Sequence, residues 1–413
     1  MTTTTPPTIE VKEYAERRLR LLESLGNSVG IVVAGSGSGS LHESFRPHAH
    51  FEYLTGIVDE PGAILLLDPG APSPARRALL FLKPRDPEVE HWDGHRPGID
   101  SALRQRLGIQ SVFRTPAFPR FLQGAARRQR SIACLHPLAA HDQPVSPDLE
   151  IAQKVAARVP GLEIVDRSDA VAQLRAVKSP AEIACLAHAV EITAHGFAAA
   201  LGMIRPGIRE FDIEEALHHG YRTHGARGPG YGTIVGSGLQ GTVLHYRANS
   251  AEVLDGELIV IDSGARFGEG EGGYGADITR TFPANGRFTE RQREIYSIVL
   301  RAQEAAIAAS VPGATFDQID GAARTIIQEA GFGDAYIHGI GHHLGLETHD
   351  ATPPGPVEEN AVITIEPGIY LPDERLGVRI EDDVRVAPGG GEILGPPIPK
   401  GIDEIEAMMA GGR

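Results

Sequence analysis

The segments Ile-Val-Ile-Asp-Ser-Gly at residues 259–264 and Ile-Thr-Ile-Glu-Pro-Gly at residues 363–368 follow one pattern, an apolar strand that ends in an acid with a glycine two residues on. A second acid follows the first at the same spacing in both copies, Asp277 after Asp262 and Glu381 after Glu366. Acids repeated in register predict two related halves whose four carboxylates converge about a pseudo-twofold axis. Because like charges a few ångströms apart repel strongly, the repeat predicts a metal centre.

The repeat extends upstream of both strands. Pro-Gly at 206–207 and at 312–313 is followed by Phe-Asp at 211–212 and at 316–317. A helical run then ends at Gly225 or at Gly331, and the spacing from the proline to this glycine is the same in both copies. Two fused halves of this helix–helix–strand kind predict an α+β domain with one antiparallel sheet curved between outer helices.

The length and the charge of the chain limit the number of domains and the kinds of partner that can be expected. At 413 residues it exceeds one ordinary core, which predicts two domains. The net charge of −15, without a long basic run, argues against a nucleic acid or an anionic membrane surface as partner. No apolar run of about 18 residues is evident, so no membrane span is predicted. Cys134 and Cys185 lack Cys-x-x-Cys spacing and are expected to be buried thiols, and a cytoplasmic location is the default expectation.

The two predicted domains comprise residues 1–172 and 173–413. The first has an α/β pattern, with a helix over 13–25 and strands over 29–34, 63–67 and 79–82. The second begins near a capping box of Ser179 and Glu182, which predicts a helix to about residue 202. Thr289 and Gln292 form a second box, for a helix to about residue 310, and a short helix is expected near 403–409.

The candidate metal ligands are four carboxylates and one imidazole: Asp262, Asp277, His342, Glu366 and Glu381. This oxygen-rich set suits Mn²⁺ best, with Zn²⁺ and Co²⁺ as alternatives. Four acids are too many for one ion with an open site, so two divalent ions bridged by carboxylates are predicted. Such ions lie about 3.5–4 Å apart and lower the pKa of a bridging water. A single acid after a strand is more often a turn or a cap, and the agreement between the halves favours the metal interpretation.

Four histidines lie within the segment His-Gly-Ile-Gly-His-His-Leu-Gly-Leu-Glu-Thr-His-Asp at residues 338–350. One imidazole can bind a metal while others donate hydrogen bonds to a developing oxyanion. The alternative is an ordinary polar loop. His245 lies upstream of Asp262, at the entry of the same strand pair, although alone it would more often be a surface residue.

Together these residues resemble the X-prolyl metallopeptidases of the pita-bread superfamily, the branch of aminopeptidase P and prolidase. The resemblance to the catalytic domain rests on ordered motifs: Lys-Ser-Pro at 178–180, Thr-Ile-Val-Gly-Ser-Gly at 233–238, Asp-Ile-Thr-Arg-Thr-Phe-Pro at 277–283, His-Gly-x-x-His at 338–342, Thr-Ile-Glu-Pro-Gly at 364–368 and Arg-Ile-Glu-Asp-Asp at 379–383. Phe-Glu-Tyr-Leu-Thr-Gly at 51–56 resembles the creatinase-like N-terminal domain of the family. The resemblance therefore implies an α/β creatinase-like domain followed by an α+β pita-bread catalytic domain.

The same resemblance implies roles for individual residues. It makes the five candidates metal ligands, with Asp277 and Glu381 bridging both ions, and makes Glu366 a proton shuttle as well. His245, His338 and His349 match the histidines of the substrate site. The positions that orient ligands or line the pocket are matched by Tyr231, Tyr370 and Arg379. Two features depart from the family: the loop between Asp262 and Asp277 is longer and is predicted to be an extended hairpin, and His50 stands where aminopeptidase P has an aspartate.

The activity implied is an Xaa-Pro aminopeptidase, which removes the N-terminal residue from proline-containing peptides. A prolidase, which cuts only dipeptides, is the alternative. It needs a cation for the terminal carboxylate of the substrate, which Arg375 or an arginine of the N-terminal domain could supply. A methionine aminopeptidase, a creatinase-like hydrolase and a non-catalytic pita-bread binding module are weaker alternatives, the last because every ligand position is retained. The resemblance also implies a homodimer or homotetramer.

Overall fold

The computed structural model describes residues 5–37 and 44–411. The described residues form two compact units. The N-terminal unit holds residues 8–37, 44–175 and the short segment 269–272, and the C-terminal unit holds residues 5–7, 176–268 and 273–411. The division falls within a helix, Ser168–Ala176, a few residues beyond the boundary predicted at residue 172.

The N-terminal unit is an α/β fold around one six-stranded sheet. Its helices are α1 Val11–Ser24, α2 Ala49–Thr55, α3 Pro87–Asp93, α4 Ser101–Leu107, α5 Phe118–Gln129, α6 Pro147–Ala156 and α7 Ser168–Ala176. Its strands are β1 Val29–Val33, β2 Ile64–Leu67, β3 Ala78–Leu82, β4 Ser111–Arg114, β5 Ser131–Cys134 and β6 Glu163–Asp166. The order across the sheet is β4-β3-β2-β1-β5-β6, with β1–β2 and β2–β3 antiparallel and the other pairs parallel.

Alternation along the strands builds the core of this unit. Val29, Ile31 and Val33 of β1 point to one face, where Leu122 of α5 and Val155 of α6 pack on them. Successive strand residues face opposite sides, so burial of all five residues of β1 means that both faces are covered. The helix and the three strands predicted here are confirmed to within two residues.

The C-terminal unit is α+β. Its helices are α8 Pro180–Leu201, α9 Glu210–Thr223, α10 Glu290–Ala309, α11 Phe316–Glu329 and α12 Ile402–Gly411. Its strands are β7 Gly228–Pro229, β8 Ile234–Ser237, β9 Leu258–Asp262, β10 Ala265–Phe267, β11 Tyr274–Gly275, β12 Thr279–Pro283, β13 Val362–Ile365, β14 Gly368–Leu371, β15 Leu376–Arg379, β16 Asp382–Arg385 and β17 Glu392–Ile393. Helix α8 packs with α9 and helix α10 with α11, as the repeat predicts.

Both predicted capping boxes are present. The Ser179 hydroxyl accepts a hydrogen bond from the Glu182 amide at the start of α8, and the Thr289 hydroxyl accepts one from the Gln292 amide at the start of α10. Helix α8 is also long and apolar enough to cross a membrane by length and composition, although the sequence predicted no such segment. Half of its apolar window is buried inside the structure, as in the core helix of a globular domain.

The strands of the C-terminal unit form four short antiparallel sheets, where one curved sheet was predicted. Their orders are β11-β10-β7, β12-β9-β8, β13-β16-β17 and β14-β15. The breaks fall at the acids, because Asp262 and Glu366 stand at or just beyond the end of a strand and the ladder is interrupted there. Single bonds continue across the gaps, such as the Glu381 amide to the Thr279 carbonyl at 3.0 Å.

Each half of this unit contains one long hairpin with a constant register. In the first hairpin Asp262 pairs with Thr279 and Phe267 with Tyr274. In the second hairpin Ile365 pairs with Asp382 and Gly368 with Arg379, so that Glu366 stands opposite Glu381. The turn occupies residues 268–273 in the first hairpin and 372–375 in the second. The predicted extended hairpin between Asp262 and Asp277 is thus confirmed, and its acids are offset rather than opposite.

Candidate metal centre

Three of the five predicted ligands converge most closely. One ligand atom each from Asp277, His342 and Glu381 lies within 4.8 Å of the others. The Nε2 atom of His342 is also 3.6 Å from Oδ2 of Asp277 and 3.6 Å from Oε1 of Glu366. Asp262 joins the group through Tyr231, whose hydroxyl is 2.5 Å from Oδ1 of Asp262 and 2.5 Å from Oδ1 of Asp277. The structure therefore brings all five predicted ligands into one cluster.

Local backbone contacts explain how His342 reaches the acids. Its amide donates to the Thr364 hydroxyl at 3.0 Å, and the Thr364 amide donates to its carbonyl at 2.9 Å. The preceding residue, Gly341, has φ +155, and a Cβ there would lie 2.0 Å from the Thr364 carbonyl oxygen. Only glycine permits this close approach, which fixes the His-bearing loop against the strand that leads to Glu366.

Burial and mutual repulsion dominate the electrostatics of the acids. Burial first, and then the charges of Asp262 and Glu366, raise the pKa of Asp277 well above its usual range. The pKa of Glu381 is raised in the same way, by burial and then by Asp277 and Glu366. Burial raises the pKa of Glu366 to about 8, although the nearby guanidinium of Arg379 opposes the shift. These raised values are what convergent carboxylates show when no cation neutralises them.

The residues fit divalent ions. Nδ1 of His342 lies 3.1 Å from the His343 carbonyl, and if that nitrogen carries the proton, Nε2 presents its lone pair to the acids. Burial lowers the pKa of His342 to about 4, so the ring is neutral near neutrality. A lone pair facing two carboxylates at 3.6 Å is unfavourable without a cation between them. A backbone carbonyl behind the ligating ring is the usual support for a metal-binding histidine.

Arg379 and Tyr370 extend the cluster on the side of Asp262. The Nη2 atom of Arg379 donates to Oδ2 of Asp262 at 2.7 Å, and its Nη1 donates to the Tyr370 hydroxyl at 3.1 Å. The same hydroxyl lies 2.8 Å from Nε2 of His338. A continuous chain of hydrogen bonds thus joins a predicted substrate histidine to a predicted ligand. Burial lowers the pKa of His338 to about 4, so this imidazole is neutral near neutrality.

The other two predicted substrate histidines are placed differently. The ring centroid of His349 is 4.1 Å from that of His342, and the His349 side chain is exposed. His245 is also exposed, in a turn after a short 3-10 helix at residues 238–242. Within residues 5–37 and 44–411, His245 has no hydrogen bond or ring contact to the other site residues. The structure therefore brings His338 and His349 into contact with residues of the site, and the role of His245 stays a prediction.

Three supporting residues were missed by the sequence analysis. The Thr279 hydroxyl donates to Oε2 of Glu381 at 2.6 Å, and Thr364 donates to Oε1 of Glu366 at 3.4 Å. The Asp383 carboxylate accepts from the Asp277 amide, 3.2 Å from each oxygen. Thr279 and Asp383 each follow a ligand by two residues, and Thr364 precedes one by two. Because residues two apart in a strand share a face, that spacing was the signal that could have found them.

Arg375 and His50, which the sequence analysis singled out, each have a partner within their own unit. Arg375 stands in the turn of the second hairpin, and its Nη2 donates to Oε1 of Glu257 at 2.8 Å. His50 is buried in α2 of the N-terminal unit, and its Nδ1 is 2.8 Å from Nη1 of Arg175 in the same unit. Since a guanidinium always donates, that nitrogen of His50 is an acceptor.

Comparison with known proteins covers almost the whole chain. Residues 184–388 match the model of metallopeptidase family M24, and residues 14–133 match that of the aminopeptidase P N-terminal domain. The chain is 34% identical to the Xaa-Pro aminopeptidase of Escherichia coli, over 98% of this chain and 99% of that protein. The structure of aminopeptidase PepP from Pseudomonas aeruginosa matches with a TM-score of 0.86 and 33% identity, over 98% of this chain and 99% of the other.

A dipeptidase is similar over a shorter span. The Xaa-Pro dipeptidase of Pyrococcus furiosus is 40% identical over 234 residues, which are 55% of this chain and 65% of that protein. The similarity to the two aminopeptidases thus includes the N-terminal unit, whereas the dipeptidase matches little more than half of the chain.

Proposed function

The chain belongs to the aminopeptidase P group of metallopeptidase family M24, and on that premise we propose that its five clustered ligands form the centre of an Xaa-Pro aminopeptidase. It is a hydrolase that releases the N-terminal residue from peptides with proline in the second position. The observation that carries this proposal is the convergence of Asp277, His342 and Glu381 within 4.8 Å.

We propose that the centre holds two divalent ions, with Mn²⁺ as the metal best suited to four carboxylates and one imidazole. Such ions, when bound, polarise a carbonyl and lower the pKa of water. The two-ion count is supported by the number of acids, because Asp262 and Glu366 extend the cluster beyond the three ligand atoms that lie closest. Asp277 and Glu381, whose raised pKa values reflect burial and then neighbouring negative charge, are the pair proposed to bridge.

Glu366 is proposed to move the proton in the reaction. It accepts a proton from the attacking water and returns it to the proline nitrogen as that nitrogen leaves. The pKa of Glu366, about 8 in the metal-free protein, is raised by burial, and the Thr364 hydroxyl at 3.4 Å orients the carboxyl. A carboxyl held in one orientation in this way can act first as a general base and then as a general acid.

The histidines are proposed to bind the peptide. His349, beside His342, is positioned to donate to the developing oxyanion, and each such donor typically contributes about 3–4 kcal/mol to the transition state. His338 is held by Tyr370, which Arg379 holds in turn, so the three form one support for the substrate. The proline nitrogen carries no hydrogen, so recognition falls on the carbonyl and the free amine. His245 is assigned the same role on the resemblance alone.

The dipeptidase alternative has less support. A dipeptidase needs a cation for the terminal carboxylate, and Arg375 already pairs with Glu257 in an exposed turn. The matched aminopeptidases also span both units.

A reducing, cytoplasmic setting is proposed on the two buried free thiols, Cys134 and Cys185, and a homodimer or homotetramer is proposed on the resemblance.

The test is Glu366→Gln, assayed on Xaa-Pro-Xaa and Xaa-Pro peptides with Mn²⁺ added. Loss of the proton acceptor should lower kcat by about 10²–10⁴-fold, and the wild-type chain should cleave the tripeptide faster than the dipeptide. Glu374→Gln is the control, because Glu374 lies in a surface turn and pairs with Arg291. Full turnover by Glu366→Gln would overturn the mechanism. A preference of the wild-type chain for the dipeptide would contradict an aminopeptidase and favour a prolidase.

A further inference from the structure

Two charged residues lie next to the ligands and are not ligands themselves. Arg280 follows Asp277 in the motif at 277–283, and Asp382 follows Glu381 in the motif at 379–383. Their side chains are 1% and 2% exposed. A buried charge is costly unless it is paired and hydrogen-bonded, so the partners of this pair show what it holds in place.

Every donor of Arg280 is engaged. Its Nη1 donates to the carbonyls of Thr279 at 2.9 Å and of Glu381 at 2.6 Å. Its Nη2 donates to Oδ1 of Asp382 at 2.5 Å and to the Ile398 carbonyl at 2.9 Å, and its Nε lies 3.2 Å from the carbonyls of Ile398 and Pro399. Only the planar fork of arginine offers five N–H donors in this geometry.

The Nη1 contacts join the two hairpins. Thr279 is the first residue of β12 in the first hairpin, two residues after Asp277. Glu381 stands between β15 and β16 in the second hairpin. One nitrogen therefore holds a carbonyl from each half at the point where the two proposed bridging ligands meet. The Glu381 amide donates to the same Thr279 carbonyl at 3.0 Å, which closes the junction.

Asp382 carries the connection to the C-terminal segment. Its Oδ2 accepts from Nζ of Lys400 at 2.7 Å and from Nε2 of Gln303 at 2.9 Å. Lys400 also donates to Oε1 of Gln303 at 2.9 Å, and Nε2 of Gln303 lies 3.4 Å from the carbonyl of Ile365, the residue before Glu366. The network thus touches the backbone beside three proposed ligands and ends in residues 398–400.

We propose that Arg280, Asp382 and Lys400 are positioning residues for the metal centre, and that they transmit the placement of the C-terminal segment 398–400 to the bridging ligands. This inference rests on the proposed metal function. The three residues touch neither substrate nor metal ligand side chain in these contacts. They act through hydrogen bonds to the carbonyls of Thr279, Glu381 and Ile365. These bonds fix the backbone from which the ligand side chains extend.

The experiment compares Mn²⁺ affinity by calorimetry with kcat and KM measured separately, on the full chain. Arg280→Lys keeps the charge and removes the fork, and it should weaken Mn²⁺ binding by about 10–100-fold, the range for residues that support metal ligands. The kcat should fall with KM nearly unchanged. Lys400→Met should weaken Mn²⁺ binding about 10-fold, and Lys400→Arg should restore most of it, because it returns a cation to Asp382.

Arg291→Lys is the control, since Arg291 pairs with Glu374 and Glu294 on the surface. This variant should keep the wild-type affinity for Mn²⁺. Lys400 is 22% exposed, so its variants decide the matter should Arg280→Lys fail to fold. Folded Arg280→Lys and Lys400→Met proteins with wild-type Mn²⁺ affinity would overturn the inference alone. A wild-type chain that neither binds Mn²⁺ nor cleaves Xaa-Pro peptides would instead overturn the proposed function.

Discussion

The two hairpins of the C-terminal unit each carry two of the proposed ligand acids but hold them differently. In the second hairpin Glu366 stands opposite Glu381, whereas in the first Asp262 pairs with Thr279 and Asp277 lies two residues closer to the turn. The spacing of the two acids along the chain is nevertheless the same in both hairpins. Equal spacing therefore hides a stagger of two residues, which the longer turn of the first hairpin absorbs.

The two hairpins also differ in how their acids are neutralised. Asp262 of the first hairpin receives a guanidinium from the second, Nη2 of Arg379 at 2.7 Å. In the part of the chain that the structure describes, the Glu381 side chain of the second hairpin accepts from a neutral hydroxyl of the first, that of Thr279 at 2.6 Å, and from no cationic side chain. The acids of the two hairpins are thus neutralised by different groups, and Glu381 depends more than Asp262 on added cations. The following predictions test that asymmetry.

The largest effect is expected on the stability of the metal-free protein, when a single proposed ligand acid is replaced by its amide in one hairpin or in the other. Asp262→Asn leaves the buried guanidinium of Arg379 without its carboxylate and should lower the free energy of unfolding by about 3 kcal/mol. Glu381→Gln removes a repelling group and should not lower it. Urea unfolding followed by circular dichroism, with a chelator present, measures both.

The double variant Asp262→Asn with Arg379→Met is the control for this comparison. Because the two partners contact each other, their effects should not add, and the double variant should be more stable than the sum of the single losses implies. Equal destabilisation by Asp262→Asn and Glu381→Gln would contradict the asymmetry.

A smaller effect is expected from pH. The pKa of Glu366 is raised from 4.5 to about 8 in the metal-free fold, mainly by burial. The unfolded chain releases this proton first, so the stability contributed by the protonated carboxyl is present at low pH and lost as pH rises towards 8. Between pH 6.5 and 8 the free energy of unfolding should fall by about 1–2 kcal/mol, the lower value reflecting a side chain that is 20% exposed.

Two measurements sharpen this prediction. Glu366→Gln should remove more of the pH slope than Asp262→Asn does, and saturating Mn²⁺ should flatten it. The lowered pKa values of the buried His338 and His342, about 4, act in the opposite sense but below pH 6.5. A metal-free protein whose stability is constant from pH 6.5 to 8 would contradict the raised pKa of Glu366.

The smallest effect concerns the helices, where the halves should behave alike. Ser179→Ala at the start of α8 and Thr289→Ala at the start of α10 each remove a hydrogen bond to a helix amide. Each should lower the free energy of unfolding by about 1 kcal/mol. Arg301→Ala, at an exposed position of α10, is the control and should change it by less than about 0.5 kcal/mol. A loss confined to one of the two caps would show that the helix pairs are not equivalent.

Much of this structure could be predicted because its signals are local. The capping boxes at Ser179 and Thr289 and the apolar strand before Asp262 can each be recognised from a few consecutive residues. The clustering of the five proposed ligands could be predicted from two acids per half, together with one histidine in a glycine-rich segment. The family comparison supports the activity that those motifs implied.

The remainder depends on register and on contacts between distant segments. The stagger of Asp262 and Asp277 is set by the turn at 268–273, and turn length is not visible in the spacing of the acids. The single curved sheet was not found as such, because the ladders stop at the acids. His245 is exposed in the turn after residue 242, as its sequence context alone indicated.

The bonds from Arg280 to the carbonyls of Ile398 and Pro399 have a consequence for biosynthesis. Domains usually fold as units in the order of their synthesis, and the N-terminal unit is nearly complete by residue 175. The other unit cannot close its junction until residue 400 has left the ribosome. Loading with ions is therefore expected only after residue 400 has emerged, as a late maturation step, and a chain that stopped before residue 398 would lack the carbonyls that Arg280 binds.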